Sequence, residues 1–270
     1  MKLSFSTSAC PEYSFDKAVS TAQKLRFDGI EVNCVGNENY LPSTTEFSTE
    51  NLTKTAEFLK DANVEIPVIS SHAVISDTKN QILVIHEPYE YIDIAYQMGI
   101  PYVRVLADKR NEPSINYGID LPLMMDNLKK ICSYAKPKEI TMLIETNGIF
   151  SDSRLLARLI READVKNVGI LWDMNHTYRY SSEPPEQTVA VFGSKIKHVH
   201  IKDTVMKNGN IEYRAMGRGD LPLNDAIKAL KKIGYDGFLS LDWPRKTVPA
   251  LLPPETILPQ YLYYIKNFTE

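Results

Sequence analysis

The chain has 270 residues, 43% of them hydrophobic and 24% charged, with 12 glycines; it can bury a substantial core and is neither disordered nor fibrous in composition. Lys and Arg number 31 against 34 Asp and Glu, a formal charge of −3, which argues against a nucleic-acid partner held on a basic surface. Three cysteines (Cys10, Cys34, Cys132) without CxxC spacing indicate neither a disulfide framework nor a zinc knuckle.

The first ten residues are too polar for a signal peptide, and no apolar run reaches membrane-spanning length. A cytoplasmic protein with no membrane partner is therefore the expectation. In chain order, short apolar runs predict strands over 3–7, 29–34, 65–71, 102–106, 141–145, 168–172, 196–201 and 238–241. Between them, helical patterns fall near 14–25, 49–61, 87–98, 115–135, 152–163, 184–192 and 222–233, with a last one near 256–267. An aromatic-Asp-Gly turn launches the second strand (Phe27-Asp28-Gly29) and the eighth (Tyr235-Asp236-Gly237).

No linker or low-complexity segment interrupts residues 1–270, so one domain is expected. Eight strand–helix units in about 250 residues predict an α/β fold of the (β/α)8 TIM-barrel type. A doubly wound open sheet is the alternative, but it usually carries a glycine-rich first turn, and 6–13 has none.

In such a barrel the active site lies at the C-terminal strand ends. The last four strands close on Leu143-Ile144-Glu145, Leu171-Trp172-Asp173, His198-Val199-His200 and Ser240-Leu241-Asp242. Three ionised carboxylates buried side by side are costly unless a cation neutralises them, and a divalent metal resolves the cost. The oxygen-rich set with one nitrogen suits Mn²⁺ first, with Mg²⁺, Co²⁺ or Zn²⁺ as alternatives. Each residue also has a plainer reading: Asp173 as a helix N-cap, Asp242 as a turn former. His198 and His200 point the same way along a strand, and His198, deeper in the run, is the better candidate for a core histidine.

Strands two to four end near Glu31, Asn33, His72, Arg104 and Asp108. Glu31, His72 and Arg104 are expected to line the substrate pocket. Arg104 would suit a carboxylate or phosphate, or else would form an ion pair with Glu31. Cys10 and Cys34 read as small apolar fillers. The tyrosines at 261, 263 and 264 read as a packed helix face that helps a subunit contact, so a homo-oligomer is an expectation.

The segments Leu-Ile-Glu145-Thr-Asn, Trp-Asp173-Met-Asn-His176, Lys-His198-Val-His200-Ile-Lys202-Asp203 and Gly234-Tyr-Asp-Gly-Phe-Leu-Ser-Leu-Asp242 resemble the sugar phosphate isomerase/epimerase family. This is the xylose-isomerase-like TIM-barrel group of ketose 3-epimerases, hydroxypyruvate isomerase, inosose dehydratase and, more distantly, endonuclease IV. Gly217-Arg218-Gly219-Asp220-Leu221-Pro222 is similar to the family's Gly-x-Gly-x-Leu-Pro loop.

The resemblance implies that Glu145, Asp173, His200 and Asp242 hold the metal and that Glu145 and Asp242 are the acid/base pair. It further implies that His176 contacts a substrate oxygen and that Lys202 makes a substrate or electrostatic contact at the mouth of strand seven. Two positions depart from the family: Asp242 stands where Glu is usual, and Ser151 where the epimerases carry a second glutamate.

The implied activity is isomerisation or epimerisation of a small sugar, sugar acid or polyol through an enediolate. Dehydration of the inosose dehydratase type is the runner-up. A non-catalytic carbohydrate-binding barrel is the reading of another class. A metal-cluster phosphodiesterase is disfavoured, since the chain has only five histidines.

Overall fold

The computed structural model describes residues 1–108 and 118–269. Eight strands, β1 (Lys2–Ser6), β2 (Gly29–Glu31), β3 (Val68–Val74), β4 (Tyr102–Leu106), β5 (Thr141–Glu145), β6 (Val168–Asp173), β7 (Ile196–Ile201) and β10 (Phe238–Leu241), form one parallel sheet. Its order is β2-β1-β10-β7-β6-β5-β4-β3, and parallel bridges Gly29–Glu65 and Val32–Ile69 join its two edges. The sheet is thus closed, a (β/α)8 barrel, with no edge left to pair elsewhere.

The helices are α1 (Phe15–Leu25), α2 (Leu52–Ala62), α3 (Gln81–Met98), α4 (Leu121–Ala135), α5 (Ser153–Ala163), α6 (Met174–Ser181), α7 (Pro185–Phe192), α8 (Leu223–Lys232) and α9 (Pro254–Thr269). Side-chain caps fix several starts: Ser14, Asn80, Asp120 and Asp152 each accept a backbone N–H of the first turn. None of the described helices is long and apolar enough to cross a membrane.

Period-two alternation splits each strand between two environments. Outward residues such as Ile144, Ile170 and Val199 join the large apolar core beneath the helices. Inward residues Val68, Leu143 and Leu171 form a small separate layer inside the barrel. One step of two toward the C-terminal end carries Leu143 to Glu145 and Leu171 to Asp173, so the apolar layer supports the polar one directly.

Several boundaries differ from expectation. Strand three begins at Val68 rather than 65, because Pro67 cannot donate to a ladder. Helix α3 starts six residues early, at Gln81, and runs through Pro88, held by the Asn80 cap and the burial of Val84. Helix α4 starts at Leu121, where Asp120 caps it; positions 115–117 of the expected helix lie outside the described residues.

Three elements lie outside the predicted strands and helices, although the reading of Asp173 as an N-cap pointed to the first. They are α6, directly after β6, and an antiparallel hairpin of β8 (Asp203–Lys207) and β9 (Asn210–Arg214). Of the late tyrosines, Tyr261 is buried and its hydroxyl donates to Leu239 O at 2.8 Å, while Tyr263 is exposed. Cys10, Cys34 and Cys132 are all buried, as small core fillers are.

Candidate functional site

The inward faces of β2, β5, β6, β7 and β10 converge at the C-terminal end of the barrel. On β7 the period of two aims His198, His200 and Lys202 inward in succession, and all three are buried. Parallel register sets His200 beside Asp173 on one side and beside Ser240 on the other. Asp242, two residues beyond Ser240, follows the same face outward.

The result is a ring of acids about one imidazole nitrogen. His200 Nδ1 lies 3.7 Å from Asp173 Oδ2, 3.8 Å from Glu145 Oε1 and 3.9 Å from Asp242 Oδ2. It is buried and makes no hydrogen bond. Those distances are too long for direct hydrogen bonds, yet the three oxygens and the nitrogen face one another. Among the described residues three groups could hold a metal: Asp173, His200 and Asp242; Glu145, Asp173 and His176; and, deeper, Glu31, His198 and His200.

Asp173 serves both roles open to it in the sequence. Its Oδ1 accepts the backbone N–H of His176 at 3.0 Å, capping α6, while Oδ2 turns to the ring. Burial would raise its pKa, but His176 and the Lys202 ammonium outweigh burial and hold it low.

Lys202 is placed deeper than a mouth contact: its side chain is only 2% exposed. Its Nζ lies 2.6 Å from Asp173 Oδ2 and also donates to Asp242 Oδ2. Those two acids raise its pKa against the opposing effect of burial. Asp242 is the most open acid of the set, its side chain 20% exposed. Its shorter arm still brings a carboxylate oxygen to the ring.

Arg104 does not pair with Glu31. Its Nε lies 3.3 Å from Glu145 Oε2, and its Nη1 donates to Ser71 O at 2.8 Å, so it buttresses Glu145. His176 Nδ1 sits 3.0 Å from Thr146 O and therefore donates to it, leaving Nε2 for another partner. His72, at the end of β3, is half-buried. Burial, with the nearby charges of Arg104 and Lys246, pushes its pKa down to about 4. Ser151 is buried and bonded to Ser181 at 2.8 Å.

Glu31 is fully buried beneath the histidines. It takes His198 Nε2 at 3.0 Å, His200 Nε2 at 2.9–3.0 Å on both oxygens, Ser240 Oγ at 2.9 Å and Ser70 Oγ at 3.2 Å. Burial would raise its pKa, but the His200 charge and the two imidazole hydrogen bonds hold it well below the usual range. His198 is lowered by burial, which exceeds the opposing pull of Glu31. For His200, burial acts downward, yet Glu31, Asp242 and Asp173 hold it well above its ordinary value. Ser70 and Ser240 went unremarked in the sequence. Their signal was the strand period, since Ser240 precedes Asp242 by two.

A closed barrel with acids and an imidazole gathered at its C-terminal mouth has the polar strand-end site that (β/α)8 barrels use for function. A family model described as xylose isomerase-like TIM barrel matches residues 19–268, and the chain belongs to that family. It is similar in structure to the protein described as probable 3-DHS dehydratase AsbF of Bacillus anthracis (TM-score 0.80, 20% identity, 99% of each chain covered). It is similar also to an IOLI protein with a bound zinc atom (0.81, 19%, 100% of each) and to a D-tagatose 3-epimerase-like protein (0.71, 22%, 99% of each).

Proposed function

We propose that the protein is a divalent-metal-dependent isomerase or epimerase of a small sugar, sugar acid or polyol-derived ketose, with no role on nucleic acid or membranes. The observation that carries this reading is His200 Nδ1, buried, without a hydrogen bond and facing three carboxylate oxygens at 3.7–3.9 Å. The surrounding acids hold the His200 ring in its charged form, and a divalent ion between Nδ1 and the three oxygens would take the place of that ring proton.

The charge count agrees. Glu31, Glu145, Asp173 and Asp242 face two fixed cations, Arg104 and Lys202. Once His200 gives up its Nδ1 proton to become a ligand, two negative charges remain among these groups, the charge of one divalent ion.

Glu145, Asp173, His200 and Asp242 would hold that ion, with Mn²⁺ the best match to three carboxylates and one imidazole. Bound there, it would act as a Lewis acid toward the substrate's carbonyl oxygen. The chain's own groups move the proton. Glu145, oriented by Arg104, takes it from the carbon beside the carbonyl; the C–H electron pair moves into the carbon–carbon bond and the carbonyl π pair onto its oxygen. Return to the neighbouring carbon, with the first carbon's hydroxyl proton passing to the other oxygen, gives the isomer; delivery by Asp242 to the opposite face of the first carbon gives the epimer. His176, its Nδ1–H committed to Thr146 O, offers Nε2 to a substrate hydroxyl.

A second reading, dehydration, rests on the Lys202–Asp242 contact. An ammonium beside the second carboxylate can protonate a departing β-hydroxyl, so the same abstraction ends in elimination.

The test is hydrogen exchange in deuterated water across a panel of ketoses, sugar acids and polyols, with and without Mn²⁺, read by proton NMR. Metal-dependent loss of one C–H signal is expected, and a product with a new double bond would select the dehydratase. Glu145→Gln should abolish exchange and keep the fold. Metal binding with no exchange on any compound would favour a non-catalytic binding barrel.

A further inference from the structure

Glu31 bonds to both histidines of β7 but stands apart from the oxygens around His200 Nδ1. An ionised carboxylate only accepts hydrogen bonds, so both rings must present N–H at Nε2 to satisfy the contacts of 2.9–3.0 Å. For His200 that leaves Nδ1, the nitrogen turned to Glu145, Asp173 and Asp242, as the one that can give up its proton and take an ion. Ser240 and Ser70 supply two more donors, so Glu31 is held from three strands and cannot easily rotate away.

We propose that Glu31 is a positioning residue that fixes the tautomer and ring orientation of His200, making its Nδ1 a metal ligand. His198 shares the same carboxylate as a buttress and is not a ligand. The proposal rests on the metal reading above and assigns Glu31 a role outside substrate contact. It has a general physical basis: a carboxylate behind a ligating imidazole sets which nitrogen is free and raises its basicity.

Glu31→Gln tests the assignment, because the amide presents an N–H as well as an oxygen to the two rings. Titration calorimetry with Mn²⁺ alone should give one ion per wild-type chain. It should weaken about 10–100-fold in Glu31→Gln, the usual loss for such a partner. His198→Asn should change the affinity by no more than about threefold, since the ring it removes lies outside the ligand set.

A measurement on wild type covers the case in which Glu31→Gln fails to fold. With Zn²⁺ bound, long-range ¹⁵N–¹H spectra should show a proton on His200 Nε2 and none on Nδ1. Unchanged Mn²⁺ affinity in folded Glu31→Gln, or an unprotonated Nε2 in the zinc form, would overturn the role of Glu31 and leave the metal reading standing. Two ions per chain, one lost in both Glu31→Gln and His198→Asn, would instead make Glu31, His198 and His200 a site of their own. Wild type that binds neither ion would overturn the inference and the reading beneath it together.

Discussion

Lys202 and the proposed divalent ion would draw on the same oxygens, since Nζ approaches Oδ2 of both Asp173 and Asp242. The lysine is a resident counter-ion that such a metal would share or push aside. Lys202→Met should therefore tighten Mn²⁺ binding by about tenfold, as removal of a nearby like charge does. Calorimetry checks this, and weaker binding would mean instead that Lys202 holds the acids in their ligating positions.

His72 gives a pH signature. It is held neutral to about 4, whereas the unfolded chain takes up the proton near 6.5. Its contribution to stability is therefore complete above pH 6.5 and is lost as pH falls through this window toward 4. Urea midpoints at pH 7 and pH 5 should differ more for wild type than for His72→Gln. Parallel losses in the two proteins would contradict the shift. The position of His72 near a strand end was legible in the sequence; its neutrality was not, because it comes from burial in the closed barrel and from the charges of Arg104 on β4 and Lys246 in the turn after β10.

At the scale of elements, the loop after the hairpin is built on Asp203, which accepts backbone N–H groups of Thr204, Gly217 and Gly219 at 2.8–2.9 Å. A Cβ on Gly219 would stand 2.0 Å from Asp203 Oδ1 and 2.4 Å from Thr204 O. No flexible side-chain end can relieve the backbone clash. Gly219→Ala should lower stability by roughly 2–4 kcal/mol, seen as a drop in melting temperature. Gly118→Ala, with nothing within 4 Å, serves as the control. Equal melting temperatures would show that the loop yields easily.

The Gly-x-Gly spacing in this loop was visible in the sequence, but its anchor was not. The hairpin itself left a readable mark: Asn208-Gly209, both at positive φ (52° and 78°), the pair that favours a tight two-residue turn. Helix α6 was legible only in its cap. It follows Asp173 without a loop, so its cap and the end of β6 are one residue.

For the molecule as a whole, the barrel was readable because eight apolar runs alternate with eight helical patterns, and closure follows from that count. The acids at the ends of β5, β6 and β10 were readable as strand termini. What β2 contributes was not: the grip of Glu31 on His198 and His200 spans 167 and 169 positions of sequence and exists only once the sheet closes. Closure would also make the proposed metal a fold-wide stabiliser, since an ion bound by four strands would bind only the folded chain. Excess Mn²⁺ at 100 times its dissociation constant should add about 2.7 kcal/mol. Asp173→Asn should lose that gain, as thermal melts with and without metal would show; a full metal-induced shift in Asp173→Asn would place the ion elsewhere.

The most direct measurement is an anomalous difference map at the manganese edge from crystals grown with Mn²⁺. A single peak within coordination distance of His200 Nδ1, Glu145, Asp173 and Asp242 is the predicted result. A featureless map at full manganese saturation, or a peak lodged between Glu31 and His198, would contradict it.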